Sequence, residues 1–166
     1  EMLYMVGMAL KGGIAAKLIH TFFGFWCAAL AYHWGKKISK FSLGGLFSAS
    51  IFYIANIVFW ESQNAYIDLA VTLFIALGIY HYFKYLQEKA SLKFLLLSSI
   101  FIGAAIGSKL LSIYFVGILG LVNLIYGIFF VKKNIKSLVQ ESLIIGAVPL
   151  LLWLPWGIYS YISTNN

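Results

Sequence analysis

The sequence predicts an all-α protein, a polytopic transmembrane helical bundle of about six spans that forms part of a larger membrane domain. Three observations lead there. First, 62% of the 166 residues are hydrophobic, only 10% are charged, and mean hydropathy is +0.91. A chain of this length has too little interior to hide so much apolar surface from water, whereas a bilayer's hydrocarbon needs none of it hidden. Second, the apolar residues come in continuous runs close to the roughly 20 residues that cross a bilayer as helix. They are too long and too unbroken for barrel strands, which alternate over about ten residues. Third, most of the charges gather in or beside the short connections between those runs.

The elements follow in order. Residues 1–13 are too short to span and are expected to form an outer-face loop or an interfacial helix ending at Gly12-Gly13. Apolar runs then occupy residues 14–34, 41–60, 65–85, 92–107, 110–131 and 138–161. Backbone groups at membrane depth must be satisfied within the chain, so each run is expected to be helical. The fourth run is short, which favours a buried or tilted helix. The chain opens on Glu1 without a signal-peptide pattern and closes on Asn165-Asn166, so residues 1–166 are expected to be part of one transmembrane domain of a longer protein.

Charge gives a direction. Lys36, Lys37 and Lys40 fill one connection, Lys84, Lys89 and Lys93 another, and Lys132, Lys133 and Lys136 a third. Nine of the twelve basic residues, all lysines, thus fall on alternate connections. The positive-inside rule places that side in the cytoplasm, so the turns at 61–64 and 108–109 and both chain ends face outward, in a multi-pass plasma-membrane protein. Aromatic residues agree: Tyr32, Trp34, Tyr80, Tyr82 and Tyr85 fall at inner helix ends, and Trp60, Tyr66, Trp156, Tyr159 and Tyr161 at outer ones. The net charge of +7 is dispersed between apolar runs, which orientation explains better than a nucleic-acid partner does. Cys27 stands alone inside an apolar run, which excludes disulfides and cysteine metal sites and leaves core packing.

Three charges sit where orientation does not demand them. Glu61 and Asp68 flank the start of the third run, with Asn64 between them. On a continuous helix their spacing is two turns, or roughly 10 Å along one face. Such a pair can hold a divalent metal, orient sugar hydroxyls or accept a proton from an acceptor; no metal ligand is assigned. A structural role is equally available, with Asp68 favoured by the helix dipole, Ser62 or Asn64 as the cap and Glu61 solvated. Lys109 follows Gly107-Ser108 on the outer side. A compact ammonium there suits a phosphate, although lysines also settle at interfaces and helix C-termini without any ligand. Lys17, three residues before His20, lies near the outer end of the first run and can snorkel; His20 is expected to be a hydrogen-bonded packing residue. Gly103 and Gly107 form a small-residue face expected to serve helix packing. His33 and His81 fall at the inner boundary.

These pieces share an order. Trp60-Glu61 with Asn64-Ala65-Tyr66-Ile67-Asp68-Leu69-Ala70, the stretch LSSIFIGAAIGSK ending at Lys109, and Leu154-Pro155-Trp156-Gly157-Ile158-Tyr159 followed by Thr164-Asn165 resemble polytopic glycosyltransferases of the GT-C type. The nearest likeness is to family 39-like, mannosyltransferase-like and aminoarabinose-transferase-like enzymes. Asn166 departs from the pattern, standing where those enzymes carry a glycine. The resemblance implies transfer of a sugar from a polyprenyl-phosphate carrier to a lipid, glycan or protein acceptor on the extracytoplasmic face. It implies that Lys109, with Lys17 as a weaker candidate, binds the lipid phosphate, and that Glu61, Asp68 and Asn64 shape the polar site. It places the catalytic carboxylate in a first outer loop before Glu1, so no catalytic residue is named in this chain. Two other functions fit the same residues: a transporter or flippase-like bundle, with a helix broken near Gly107, and a noncatalytic membrane subunit whose charges face lipid headgroups or solvent.

Overall fold

The structure is a computed structural model that describes residues 8–9, 12–64, 66–87 and 91–164. Among them it contains helices and no strands. We number the helices α1 (Gly13–Ser39), α2 (Ser42–Ile54), α3 (Asn56–Ser62), α4 (Asp68–Gln87), α5 (Leu92–Ser108), α6 (Tyr114–Ile125) and α7 (Ile135–Thr164). A 3-10 turn, Leu110–Ile113, leads into α6, and a π turn, Tyr126–Phe130, leads out of it. Of residues 1–13, positions 1–7, 10 and 11 lie outside the described residues.

The helices fall on the six apolar runs, but not all have the reach of a span. Among the described residues, four are long and apolar enough to cross a membrane: Gly13–Ser39, Asp68–Gln87, Leu110–Phe130 and Ile135–Ser163. The second run is broken, because α2 and α3 meet at a 72° bend and count as a fifth span only when taken together. At the break Ala55 leaves helical geometry (φ −54°, ψ 120°), with its N–H still reaching the Ile51 carbonyl at 3.3 Å. Neither glycine nor proline stands there, so nothing in the local sequence announces the bend. Helix α5 has 17 residues, a reach of roughly 26 Å against a hydrocarbon core of about 30 Å.

The chain divides into two compact units, Glu1–Leu73 and Phe74–Asn166, with α4 beginning in the first and ending in the second. In the first, α1 doubles back onto α2 through Lys40, whose left-handed backbone (φ 62°) closes α1 just after Lys36 and Lys37. The two helices come close at small residues: a Cβ on Gly45 would lie 2.8 Å from the Tyr32 ring. The buried face of α1 carries Ala16, His20, Gly24 and Cys27. Cys27 packs there as expected, with its thiol 3.4 Å from the Leu69 carbonyl.

In the second unit the core is built from Tyr82, Tyr85, Leu95, Ile102, Ile106, Leu119 and Ile145. Ser98 donates to the Gly78 carbonyl at 2.7 Å, fastening α5 to α4. Gly103 serves packing as expected: a Cβ there would lie 2.7 Å from Leu152 and 3.0 Å from the Pro149 backbone. Gly107 does not, since a Cβ there would meet nothing within 4 Å. The small-residue face is therefore used at one of its two positions. Near Gly107 the helix simply ends, and the backbone turns extended at Lys109 before the 3-10 turn.

One expectation about the inner boundary is corrected. Tyr82 and Tyr85 are 2% and 0% exposed, so they are core residues rather than interfacial rings. Lys133 lies in its expected connection, where its ammonium forms a 2.8 Å ion pair with Glu141, whose side chain is 3% exposed.

Candidate functional site

The acidic segment of the first unit is not one continuous helix. Glu61 belongs to the last turn of α3, and Asp68 is the first residue of α4. The carboxylates therefore do not share a helix face at two-turn spacing. Asn64 closes α3: its N–H and side-chain amide donate to the Glu61 and Trp60 carbonyls at 2.9 and 2.8 Å. Ser62 donates to the Phe59 carbonyl at 2.8 Å, within α3. Asp68 is left in the first turn of α4, where the exposed N–H groups favour negative charge.

This segment packs on the buried stripe of α1. Thr21 Oγ1 donates to the Ser62 carbonyl at 2.6 Å, and a Cβ on Gly24 would touch Leu69 at 3.3 Å and Ser62 at 3.7 Å. His20 is fully buried on the same stripe and lies within electrostatic reach of Asp68. Lys17 is exposed, with its carbonyl accepting the second bond of Thr21 at 2.9 Å. Glu61, Asn64 and Asp68 are half-buried. The structure thus brings Asp68 to His20, a neighbour that spacing along the chain did not indicate. Among the described residues, no group of three or more His, Cys, Asp or Glu is arranged to hold a metal ion.

Lys109 belongs to the second unit. Its side chain is exposed, its backbone is extended (φ −149°, ψ 113°), and its N–H closes α5 onto the Ala105 carbonyl at 2.8 Å. A lysine ammonium offers three donors to an anion.

The second unit also holds a polar cluster that inspection of the sequence missed. Lys133 donates to Glu141 Oε1 and Oε2 at 2.9 and 2.8 Å and to the Tyr85 hydroxyl at 2.6 Å. Ser137 donates to Glu141 Oε1 at 2.9 Å, and Asn123 Nδ2 donates to Oε2 at 3.0 Å. The Tyr82 hydroxyl donates to Asn123 Oδ1 at 3.3 Å. Glu141 and Asn123 both lie inside apolar runs, and a carboxylate within a span is the signal that could have found them. Because its donors and acceptors are matched among themselves, the cluster fastens helices together and offers little to a ligand. His81 is likewise structural, stacked on Phe101 with centroids 5.4 Å apart.

Comparison with known proteins gives one result that covers both units. A family model described as dolichyl-phosphate-mannose-protein mannosyltransferase matches residues 9–165. No curated protein and no solved structure matches the chain.

Proposed function

The chain belongs to the dolichyl-phosphate-mannose-protein mannosyltransferase family, and from that membership we propose that it transfers a sugar, mannose in the first instance, from a polyprenyl-phosphate carrier to an acceptor at the extracytoplasmic face of the plasma membrane. Membership in a family of multi-pass membrane glycosyltransferases with lipid-linked donors is the observation that carries the proposal. In this reading both units belong to a single transmembrane domain, and the acceptor is a protein, glycan or lipid presented at that face.

The roles divide by chemistry. Lys109 binds the lipid phosphate: its ammonium follows the end of α5, exposed, and offsets negative charge as the phosphate leaves. Asp68, at the start of α4, orients sugar or acceptor hydroxyls, with Glu61 and Asn64 shaping the approach. Lys17 is a second, weaker contact for the phosphate. The acceptor proton goes to a carboxylate in a first outer loop preceding this chain, the place the family resemblance assigns to it.

The test is Lys109→Ala in the full-length protein, assayed as transfer of label from dolichyl-phosphate mannose to endogenous membrane acceptors. Losing a charge-assisted contact worth roughly 1.5–3 kcal/mol should cut the rate about 10- to 150-fold at unchanged expression. Full transfer by the variant removes Lys109 from the mechanism.

A further inference from the structure

The buried stripe of α1 reads Ala16, His20, Gly24, Cys27, residues three or four apart that line one side of the helix. Three of the four are small, so Ser62 and Leu69 can lie close against them. The contacts run in register along the helix. Cys27 meets the Leu69 carbonyl, Gly24 lies against Leu69 and Ser62, and Thr21 is tied to the Ser62 carbonyl at 2.6 Å. One turn before Gly24 comes His20, the large polar side chain of the stripe and 0% exposed. Asp68 directly precedes Leu69, and its carboxylate lies within electrostatic reach of the imidazole. A half-buried carboxylate beside an apolar helix is held in a charged, defined orientation only by a polar or cationic partner. His20, fully buried on this stripe, lies within electrostatic reach of Asp68, while Lys17, one turn away on α1, is exposed.

We propose that His20 is a positioning residue for Asp68: buried on the α1 stripe, it holds the carboxylate at the start of α4 in the orientation that receives hydroxyls of the lipid-linked sugar or its acceptor. The proposal rests on the role given to Asp68 above. It assigns His20 no contact with substrate. Its effect passes through Asp68, as a supporting partner's effect passes through the group it orients.

The test uses the full-length protein in membranes with labelled dolichyl-phosphate mannose and endogenous acceptors. His20→Leu should lower the initial rate about 10- to 100-fold. His20→Gln, which keeps a side-chain hydrogen-bonding group at the site, should recover most of that loss. Asp68→Asn should be impaired, and His20→Leu/Asp68→Asn should be no slower than Asp68→Asn alone, because one acts through the other. A His20→Leu enzyme at the wild-type rate, or a double variant whose losses multiply, overturns the positioning role and leaves the transferase reading standing. An inactive wild-type protein or a fully active Asp68→Asn enzyme defeats the underlying reading, and this proposal with it. A measurement independent of turnover guards against misfolded variants. In the 15N-histidine spectrum of the full-length protein, the ring signals lost in His20→Gln should shift in Asp68→Asn. Unmoved signals would overturn the pairing.

Discussion

Replacing Lys133 by methionine is expected to destabilise the second unit far more than replacing Lys133 and Glu141 together. Glu141 takes four hydrogen bonds, two of them from the Lys133 ammonium, and its side chain is 3% exposed. Without Lys133, the carboxylate loses its cationic partner and keeps neutral ones, Ser137 and Asn123 among them. Removing one partner of a buried ion pair costs roughly 3–5 kcal/mol, whereas replacing both by neutral groups of similar volume is often close to neutral. For a chain of this size each kcal/mol moves the melting temperature by about 2–4 °C, so Lys133→Met should melt roughly 6–20 °C lower. The assay is thermal unfolding of the full-length protein in detergent, followed by size-exclusion elution, for Lys133→Met, Glu141→Gln and the double variant. The double variant should recover at least about 2 kcal/mol relative to the summed single losses. Additivity within about 0.5 kcal/mol would refute a coupled pair. A single-variant loss of only about 0.6 kcal/mol, the average for a neutral interhelical hydrogen bond in a bilayer, would mean that the orphaned carboxylate finds solvent.

The same assay checks two further expectations. Tyr85→Phe removes an acceptor of a charge-assisted bond and should cost about 1.5–3 kcal/mol, while Tyr82→Phe loses a longer neutral bond and should cost roughly 0.5–1.5 kcal/mol; a reversed order would contradict the network's geometry. Gly103→Val drives methyl groups into Leu152 and the Pro149 backbone and should cost about 1–3 kcal/mol, whereas Gly107→Ala, meeting nothing within 4 Å, should stay within about 0.5 kcal/mol of the parent. Equal effects at the two glycines would count against the α5–α7 contact.

The positions of the helices were legible in the sequence, because each depends on the hydropathy of its own residues. All six apolar runs became helical within a few residues of their expected limits, and the shortness of the fourth was visible in its length alone. Family membership was legible for a related reason: LSSIFIGAAIGSK and the residues around Asp68 are contiguous strings. The bend at Ala55 was not, since no proline or glycine marks it. Nor was the end of α3 at Ser62, which separates Glu61 from Asp68 and gives the two carboxylates different surroundings.

By itself, the sequence determined the all-helical membrane class, the extent of the apolar runs and the residue types available at their ends, for solvation by hydrocarbon is settled residue by residue. Only tertiary structure decided which polar groups meet. Lys133 and Tyr85 are 48 positions apart, and Cys27 and Leu69 are 42 apart. A lysine of a connection is half of a buried ion pair, two tyrosines expected at the interface are core, and a histidine expected to be a hydrogen-bonded packing residue lies within electrostatic reach of Asp68. Where water is scarce, a polar side chain takes the partner that folding brings within about 3 Å, and separation along the chain does not encode that distance.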